Sequence, residues 1–141
     1  MYYERMLDIS KIEDLYKGIR SKTKHKEKIV NFKLFYMSNI IQIYEILSQK
    51  LYRHGLYNIF LVKENKYRLI MSENLSDKIV NHLLSKEILL PFLEPKLIET
   101  NVATRKGKGT KAGLYYTKKY INEIRRKHEE FFVLKCDIKK Y

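Results

Sequence analysis

The spacing of apolar residues changes near Gly55, and this change restricts the chain to a mixed architecture. Between residues 32 and 51 the large apolar side chains recur with a helical period, and they are Phe32, Phe35, Tyr36, Ile40, Ile43, Leu47 and Leu51. This pattern predicts one amphipathic helix that ends at Gly55. The runs YNIFLV (57–62) and YRLIM (67–71) that follow are short and β-prone, and the polar KENK joins them. They predict a β-hairpin with a basic tip.

Further helical patterns lie on both sides of the predicted hairpin. The run SKIE (10–13) is typical of a capping box at the start of a first helix. A helix with Ser76 as its cap is expected to bury Ile79, Val80, Leu83 and Leu84 and to be broken by Pro91 and Pro95. Another is expected from Thr110 to about residue 128, with inward-facing Leu114, Tyr120, Ile121 and Ile124. The run FFVLKC (131–136) indicates a buried strand, so the predicted fold class is α+β.

The charge of the chain indicates the kind of partner it binds. Its 141 residues contain 29 Lys and Arg against 16 Asp and Glu, which gives a net charge of +13. A field of this sign attracts polyanions such as nucleic acids. No run of about 18 apolar residues predicts a membrane span, and a single cysteine predicts no internal disulfide. We therefore expect a cytoplasmic protein with no membrane partner.

A glycine-containing loop concentrates several of these cations. The segment RKGKGTKAG (105–113) lacks the Gly-Lys-Thr order of a Walker loop. Its glycines nevertheless let the backbone approach an anion, a helix start follows, and four cations surround it: Arg105, Lys106, Lys108 and Lys111. The loop is either a phosphate or nucleic-acid site or a solvated basic turn.

The hairpin tip carries a second group of cations. Lys63 and Lys66 flank the predicted turn, and Arg68 begins the return strand. Arg binds phosphate with a planar fork and Lys as a point charge, so a projecting ribbon of this kind can clamp a polyphosphate. An exposed charged turn explains the same pattern.

A carboxylate follows the last apolar run. Asp137 stands at the end of FFVLKC, a position from which a strand can deliver a ligand to Mg²⁺. A two-metal phosphoryl-transfer site requires further acidic ligands, and no Asp-Asp pair occurs in the chain. The alternative interpretation is that Asp137 only forms a turn at the end of the strand.

Taken in order, these segments resemble the N-terminal part of a bacterial reverse transcriptase of the retron, abortive-infection, diversity-generating or group II intron group. The run YNIFLVKENKYRLIMSENLSDKIVNHLL is similar to the first conserved block of the family. LLPFLEPKLIETNVATRKGKGTKAG is similar to the second, and FFVLKCDIKKY to the first half of the catalytic palm motif. The resemblance covers essentially the whole chain and is strongest over 57–141.

The resemblance implies a role for each candidate residue. Asp137 corresponds to the first Mg²⁺-binding catalytic aspartate of the intact enzyme. Arg68, with Lys63 or Lys66, corresponds to the cations that hold the incoming dNTP, and Lys78 to a contact with nucleotide or template. The loop residues Arg105, Lys106, Lys108 and Lys111 correspond to a nucleic-acid-binding block.

The resemblance also implies a division of the chain and a set of partners. Residues 1–56 are expected to form a helical extension, 57–130 the fingers and 131–141 the first, truncated palm strand. The partners are an RNA template, a DNA or RNA primer and dNTPs. Because the Asp-Asp motif is missing, we expect a fragment of a longer polymerase that is inactive alone and that self-associates through its exposed palm edge.

The biological role stays open between a retron, phage defence, a mobile intron and diversity generation. Two other interpretations remain. One is a non-catalytic RNA- or DNA-binding or assembly module derived from a reverse transcriptase. The other is a small helical DNA-binding regulator, which the hairpin and the strand bearing Asp137 fit poorly.

Overall fold

A computed structural model describes residues 2–23 and 26–138, with the side chains of 26–28 outside the description. The fold is a mixture of helices and one antiparallel hairpin, as the sequence predicts. The α-helices are α1 (Ile9–Lys22), α2 (Lys26–Leu34), α3 (Tyr36–Ser48), α4 (Leu75–Leu84), α5 (Leu90–Leu93) and α6 (Thr110–Arg125). The strands are β1 (Asn58–Lys63) and β2 (Tyr67–Ser72). Short 3₁₀ turns cover Tyr3–Met6 and Glu94–Lys96, and a π-helical turn covers Ser85–Leu89.

The chain divides into two compact units, Met1–Pro95 and Lys96–Tyr141. The predicted boundaries at residues 56 and 130 are a functional division and stay predictions. Among the described residues, none of the helices combines the length and the apolar composition needed to cross a bilayer.

The core of the first unit forms where α1, α3 and α4 meet. Each helix buries residues at helical spacing, and the most deeply buried are Ile12 and Tyr16 of α1, Ile40 of α3, and Ile79 and Leu83 of α4. Burial of each such aliphatic side chain contributes about 1.5–3 kcal/mol to the free energy of unfolding. The Tyr16 ring stacks on Phe32 of α2 at a centroid distance of 5.0 Å, so α2 closes the same core.

The helix predicted over residues 32–51 is two helices. Phe35, with φ −118° and ψ 39°, separates α2 from α3. The side-chain amide of Asn39 donates a 3.0 Å hydrogen bond to the Phe32 carbonyl, which a continuous helix would pair with the backbone. A polar side chain has therefore taken over a backbone acceptor, and the helix is interrupted.

The predicted helix end at Gly55 is also wrong, because α3 ends at Ser48. Lys50 has a φ of 58°. Its N–H donates to the Leu47 carbonyl at 3.0 Å, and the Leu51 N–H donates to the Ile46 carbonyl at 2.9 Å. This pair of bonds is a Schellman motif in which a lysine occupies the left-handed position that glycine usually takes.

The helix caps differ from the predicted ones by one to two residues. Asp8, and not Ser10, caps α1, because its Oδ1 accepts from the Ser10 backbone at 2.9 Å. Asn74 replaces Ser76 at α4, and its Oδ1 accepts from the Asp77 N–H at 2.8 Å. Gly109 replaces Thr110 at the start of α6. In each case the chain begins its helix earlier than the apolar period indicates.

The region after α4 continues as a helix despite its prolines. Pro91 lies inside α5, and the turn before it widens to π-helix over Ser85–Leu89. Proline lacks an N–H and its ring collides with the carbonyl four residues earlier, so a wider turn accommodates it. The predicted inward residue Leu84 is 36% exposed, unlike the fully buried Leu83.

The second unit buries little. No described residue of α6 is buried, and the predicted inward side chains of Leu114, Tyr120 and Ile124 are exposed. Ile121 is half-buried. Hydrophobic periodicity thus predicts the helix correctly but not a partner for its apolar side.

The strand predicted over 131–136 is absent. Residues 131–138 have no regular secondary structure, and Phe132, Val133 and Leu134 are 97%, 72% and 87% exposed. A strand needs a neighbour for its N–H and C=O groups, and in the described part of the chain β1 and β2 pair only with each other. The last three residues of the predicted palm segment, 139–141, lie outside the described residues.

Candidate nucleotide and nucleic-acid interface

The register of the hairpin decides which way its cations point. β1 and β2 pair antiparallel, with Phe60 opposite Ile70, Val62 opposite Arg68 and Lys63 opposite Tyr67. Partners in register project from the same face of a sheet, and successive residues project from opposite faces. Arg68 therefore shares a face with Phe60 and Ile70, whereas Lys63 lies on the other face.

A cleft of about 860 Å³ opens on the face that carries Phe60 and Ile70. The hairpin forms one wall, and α2 and the start of α4 contribute to the rest. The lining residues are Thr23, Ile29, Tyr57, Asn58, Phe60, Ile70, Met71, Ser72, Glu73, Asn74, Leu75 and Lys78. The cleft thus combines aromatic and aliphatic walls with a few polar groups, the composition typical of a small-molecule site.

Two of the predicted nucleotide-binding cations belong to this side of the hairpin. Lys78 is half-buried in the first turn of α4 and lines the cleft directly. Arg68 projects from the sheet face that forms the wall. The side chain of Arg68 is 69% exposed, and its Nη1 lies 3.6 Å from Glu64 Oε2, so the guanidinium remains accessible to solvent.

The other two hairpin cations are placed differently. Lys63 Nζ lies 5.7 Å from the ring centroid of Tyr67, its cross-strand partner on the opposite face. Lys66 is exposed in the turn, where its carbonyl accepts from the Glu64 N–H at 3.3 Å. Lys78 therefore lines the cleft and Arg68 lies on the sheet face that borders it, whereas Lys63 lies on the opposite face of the hairpin.

A buried carboxylate, Asp77, immediately precedes the cleft residue Lys78, and its residue type alone does not mark it as important. Asp77 is only 3% exposed. Its Oδ1 accepts from the Tyr52 hydroxyl at 2.8 Å, and its Oδ2 accepts from the Gly55 N–H at 3.0 Å. His54 Nδ1 lies 3.8 Å from Oδ2.

These bonds join the segment that leads into β1 to the residue that precedes Lys78. The first turn of α4 also favours a negative charge, because the helix dipole is positive there. In the sequence, an aspartate at this position indicates only the ordinary acidic residue of a first helical turn. Its partners are 25 and 22 residues away, so only the tertiary structure reveals the connection.

Two cations of the glycine loop hold the loop itself together. Arg105 Nη1 donates to the carbonyls of Ile98 and Asn101, both at 3.2 Å. Lys108 Nζ donates to the Glu99 carbonyl at 2.5 Å. These bonds satisfy carbonyls that would otherwise depend on water, so Arg105 and Lys108 stabilise the turn that precedes α6.

The remaining loop cations, Lys106 and Lys111, are exposed. Gly107 and Gly109 have φ values of 75° and 114°, a region that side-chain-bearing residues rarely adopt. The loop therefore has the glycine-dependent conformation that its sequence indicates, followed directly by the first turn of α6.

The loop is also attached to the side of α6. The Tyr116 hydroxyl donates a 2.7 Å hydrogen bond to Glu99 Oε1, and this bond to a carboxylate raises the pKa of Tyr116. A Cβ built on Gly113 would lie 3.3 Å from Val102 Cγ2. One side of α6 therefore faces residues 99–102.

Asp137 is exposed and follows the irregular segment. Over the described ranges, no three His, Cys, Asp or Glu side chains are grouped so as to hold a metal ion. One exposed carboxylate does not supply the oxygen ligands that Mg²⁺ requires, so the described residues alone do not fit a magnesium site.

No protein-family model matches this chain, and no curated protein matches its sequence.

Proposed function

We propose that the chain forms the nucleotide- and template-binding part of an RNA-directed DNA polymerase, the activity that its resemblance to bacterial reverse transcriptases implies. The observation that carries the proposal is that Lys78 lines the cleft and that Arg68 projects from the sheet face that forms one wall of it. In the resemblance these two residues contact the incoming nucleotide. A fork-shaped donor and a point charge beside aromatic walls suit a nucleoside triphosphate.

The proposed division of labour follows from side-chain chemistry. Arg68 would bind two phosphate oxygens with its guanidinium, and Lys78 would neutralise a further charge from the opposite wall. Tyr57 and Phe60 offer rings against which a base can pack. The exposed Lys106 and Lys111 would contact the template backbone.

In the intact enzyme Asp137 would be one oxygen ligand of Mg²⁺. The described residues do not complete that site, so we assign no catalytic step to this chain. Purified 141-residue protein is expected to give no primer extension on an RNA template. Robust DNA synthesis by it would contradict the expectation that it is inactive alone.

The proposal is tested by isothermal titration calorimetry, in which a dNTP is titrated into the protein. Arg68→Ala and Lys78→Ala are each expected to weaken binding about tenfold or more, because each removes a charge-assisted contact. Lys86→Ala removes an equal charge from an exposed position outside the cleft and serves as the control. Equal affinities in all four proteins, or no saturable binding at all, would overturn the proposal.

A second candidate is a non-catalytic nucleic-acid-binding module. The segment 105–127 favours it, because it contains nine Lys and Arg residues and a single Glu. Such a module would bind RNA or DNA but would show no saturable affinity for dNTPs. The same titration, repeated with an oligonucleotide, separates the two functions.

A further inference from the structure

The basic excess of the second unit is ordered along one helix. α6 extends over 16 residues, and its side bearing Gly113 and Tyr116 faces residues 99–102. Lys111, Lys118 and Arg125 recur every seven residues. A heptad step rotates only about 20° around a straight α-helix, so these three side chains form one row along the axis.

This row lies on the side of α6 away from the loop contacts. At about 100° per residue, the row is centred roughly 170° around the axis from the midpoint of Gly113 and Tyr116. All three cations are exposed. Tyr115, which is 64% exposed, and Asn122, which is also exposed, flank the row between successive cations.

The acidic residue of α6 does not neutralise the row. Glu123 is the single carboxylate between residues 105 and 127, and it lies about 140° around the axis from Lys118. The three cations extend over about 21 Å, the length of several nucleotides. Charge complementarity therefore favours a polyanion of extended shape over a small anion.

We propose that this face of α6 binds a single-stranded nucleic acid, with Lys111, Lys118 and Arg125 contacting phosphates spaced along the strand and the Tyr115 ring stacked on a base. An exposed aromatic among cations can stack only on an unpaired base, which favours a single strand over a duplex. The inference rests on the proposed function in taking nucleic acid as the ligand, but its residues are separate from the cleft of Arg68 and Lys78. It extends the path of the template from the glycine loop along the helix.

The test is fluorescence anisotropy with a labelled 12-nucleotide oligouridylate, measured over a range of salt concentrations. The variant Lys118→Gln with Arg125→Gln is compared with Lys86→Gln with Arg20→Gln, which removes the same two residue types from exposed positions of the first unit. Each lost phosphate contact lowers the slope of log K against log salt by about 0.7 on single strands. We expect a slope reduced by about 1.4 and an affinity reduced about tenfold for the α6 pair, and little change for the control pair.

Two further variants separate binding from an effect on folding. Arg125 also lies 5.9 Å from the Phe131 ring centroid, so Arg125→Lys, which keeps the charge, is expected to retain affinity. Tyr115→Ala is expected to weaken binding severalfold and Tyr115→Phe to leave it unchanged, because the ring does the stacking.

The salt dependence, the duplex comparison and the dNTP titration each have a result that would contradict one of the proposals. Equal salt slopes for the α6 pair and the control pair would mean a solvated basic face and would overturn the inference. Tighter binding of a 12-base-pair duplex, with no effect of Tyr115→Ala, would overturn the single-strand assignment. Failure of the dNTP titration at Arg68 and Lys78 would instead remove the polymerase proposal and leave this result standing.

Discussion

The Tyr52 hydroxyl donates a 2.8 Å hydrogen bond to the buried carboxylate of Asp77, and this contact ties the chain before the hairpin to the first turn of α4. The same carboxylate accepts from the Gly55 N–H. The two walls of the cleft, one bearing Phe60 and the other Lys78, are thereby held at a fixed separation. This polar group is structural, and Asp77 immediately precedes Lys78, which lines the proposed nucleotide site.

Removal of the Asp77 carboxylate is expected to be costly. Asp77→Ala leaves the Tyr52 hydroxyl and the Gly55 N–H without their acceptor, so the free energy of unfolding should fall by about 3 kcal/mol. Urea denaturation followed by circular dichroism measures it. Asp14→Ala, at a side chain 73% exposed, is the control and should change stability by less than about 0.5 kcal/mol. Equal effects of the two substitutions would show that the buried contacts contribute nothing.

Gly55 and Gly18 should respond to alanine with opposite signs. A Cβ at Gly55 would lie 2.6 Å from Asn74 Nδ2 and 3.0 Å from Asp77 Oδ2, so Gly55→Ala should destabilise the protein by about 1–3 kcal/mol. A Cβ at Gly18, inside α1, meets nothing within 4 Å, and Gly18→Ala should stabilise it by about 0.5–1 kcal/mol. Thermal denaturation compares both, and a stabilised Gly55→Ala protein would contradict the packing described at the cleft.

Glu64 is expected to compete with phosphate for Arg68. The two side chains are 60% and 69% exposed and 3.6 Å apart, a pair worth at most about 1 kcal/mol. Glu64→Gln should therefore raise dNTP affinity about two- to fivefold at low salt, with a smaller gain at high salt because screening already weakens the pair. Glu13→Gln, which removes the partner of Lys17, is the control. A reduced affinity in Glu64→Gln would indicate that Glu64 orients Arg68 instead of competing for it.

The stability of the protein should decline in alkali over a pH range set by two partly buried tyrosines, Tyr36 and Tyr52. Burial, with a smaller contribution from Glu13, raises the pKa of Tyr36 to about 12, and burial with Asp77 raises that of Tyr52. Because tyrosine in the unfolded chain loses its proton near pH 10, the stabilisation is complete below pH 10 and is lost as pH rises towards 12.

Urea midpoints measured from pH 8 to pH 11.5 test this decline. Tyr36→Phe should be less sensitive to pH above 10 than the parent protein, since the group that ionises is gone. Tyr2→Phe, at an exposed side chain, should follow the parent curve. If Tyr36→Phe also follows the parent curve, Tyr36 does not cause the alkaline loss.

The sequence predicts local structure better than it predicts contacts. The hairpin appears within one residue of the predicted runs, because β-prone segments around a polar turn are a local signal. The interruption at Phe35 depends on a side-chain bond from Asn39, and the end of α3 at Ser48 depends on Lys50 in the left-handed region. Neither follows from apolar periodicity. The irregular segment 131–138 fails as a strand because pairing requires a neighbour that hydrophobicity alone does not specify.

For the candidate site, too, the sequence indicates the residue types but not the contacts between them. Arg68 and Lys78 could be chosen from residue type and resemblance, yet the sheet face of Arg68 depends on the register of β1 with β2, and the position of Lys78 in the cleft depends on the packing of α4. Asp77 was missed because its donors come from residues 52 and 55, far away in sequence. The guanidinium of Arg105 binds loop carbonyls, and this structural role likewise cannot be predicted without the backbone around it.

Asp77 accepts hydrogen bonds from both Tyr52 and Gly55, and this arrangement has a consequence for how the gene can vary. Loss of Asp77 leaves both the Tyr52 hydroxyl and the Gly55 N–H without an acceptor, whereas loss of Tyr52 leaves Asp77 paired with the Gly55 N–H, so a change at codon 77 meets the higher energetic barrier. In a library of random variants selected only for folding, substitutions at codon 77 should consequently be rarer than substitutions at codon 52.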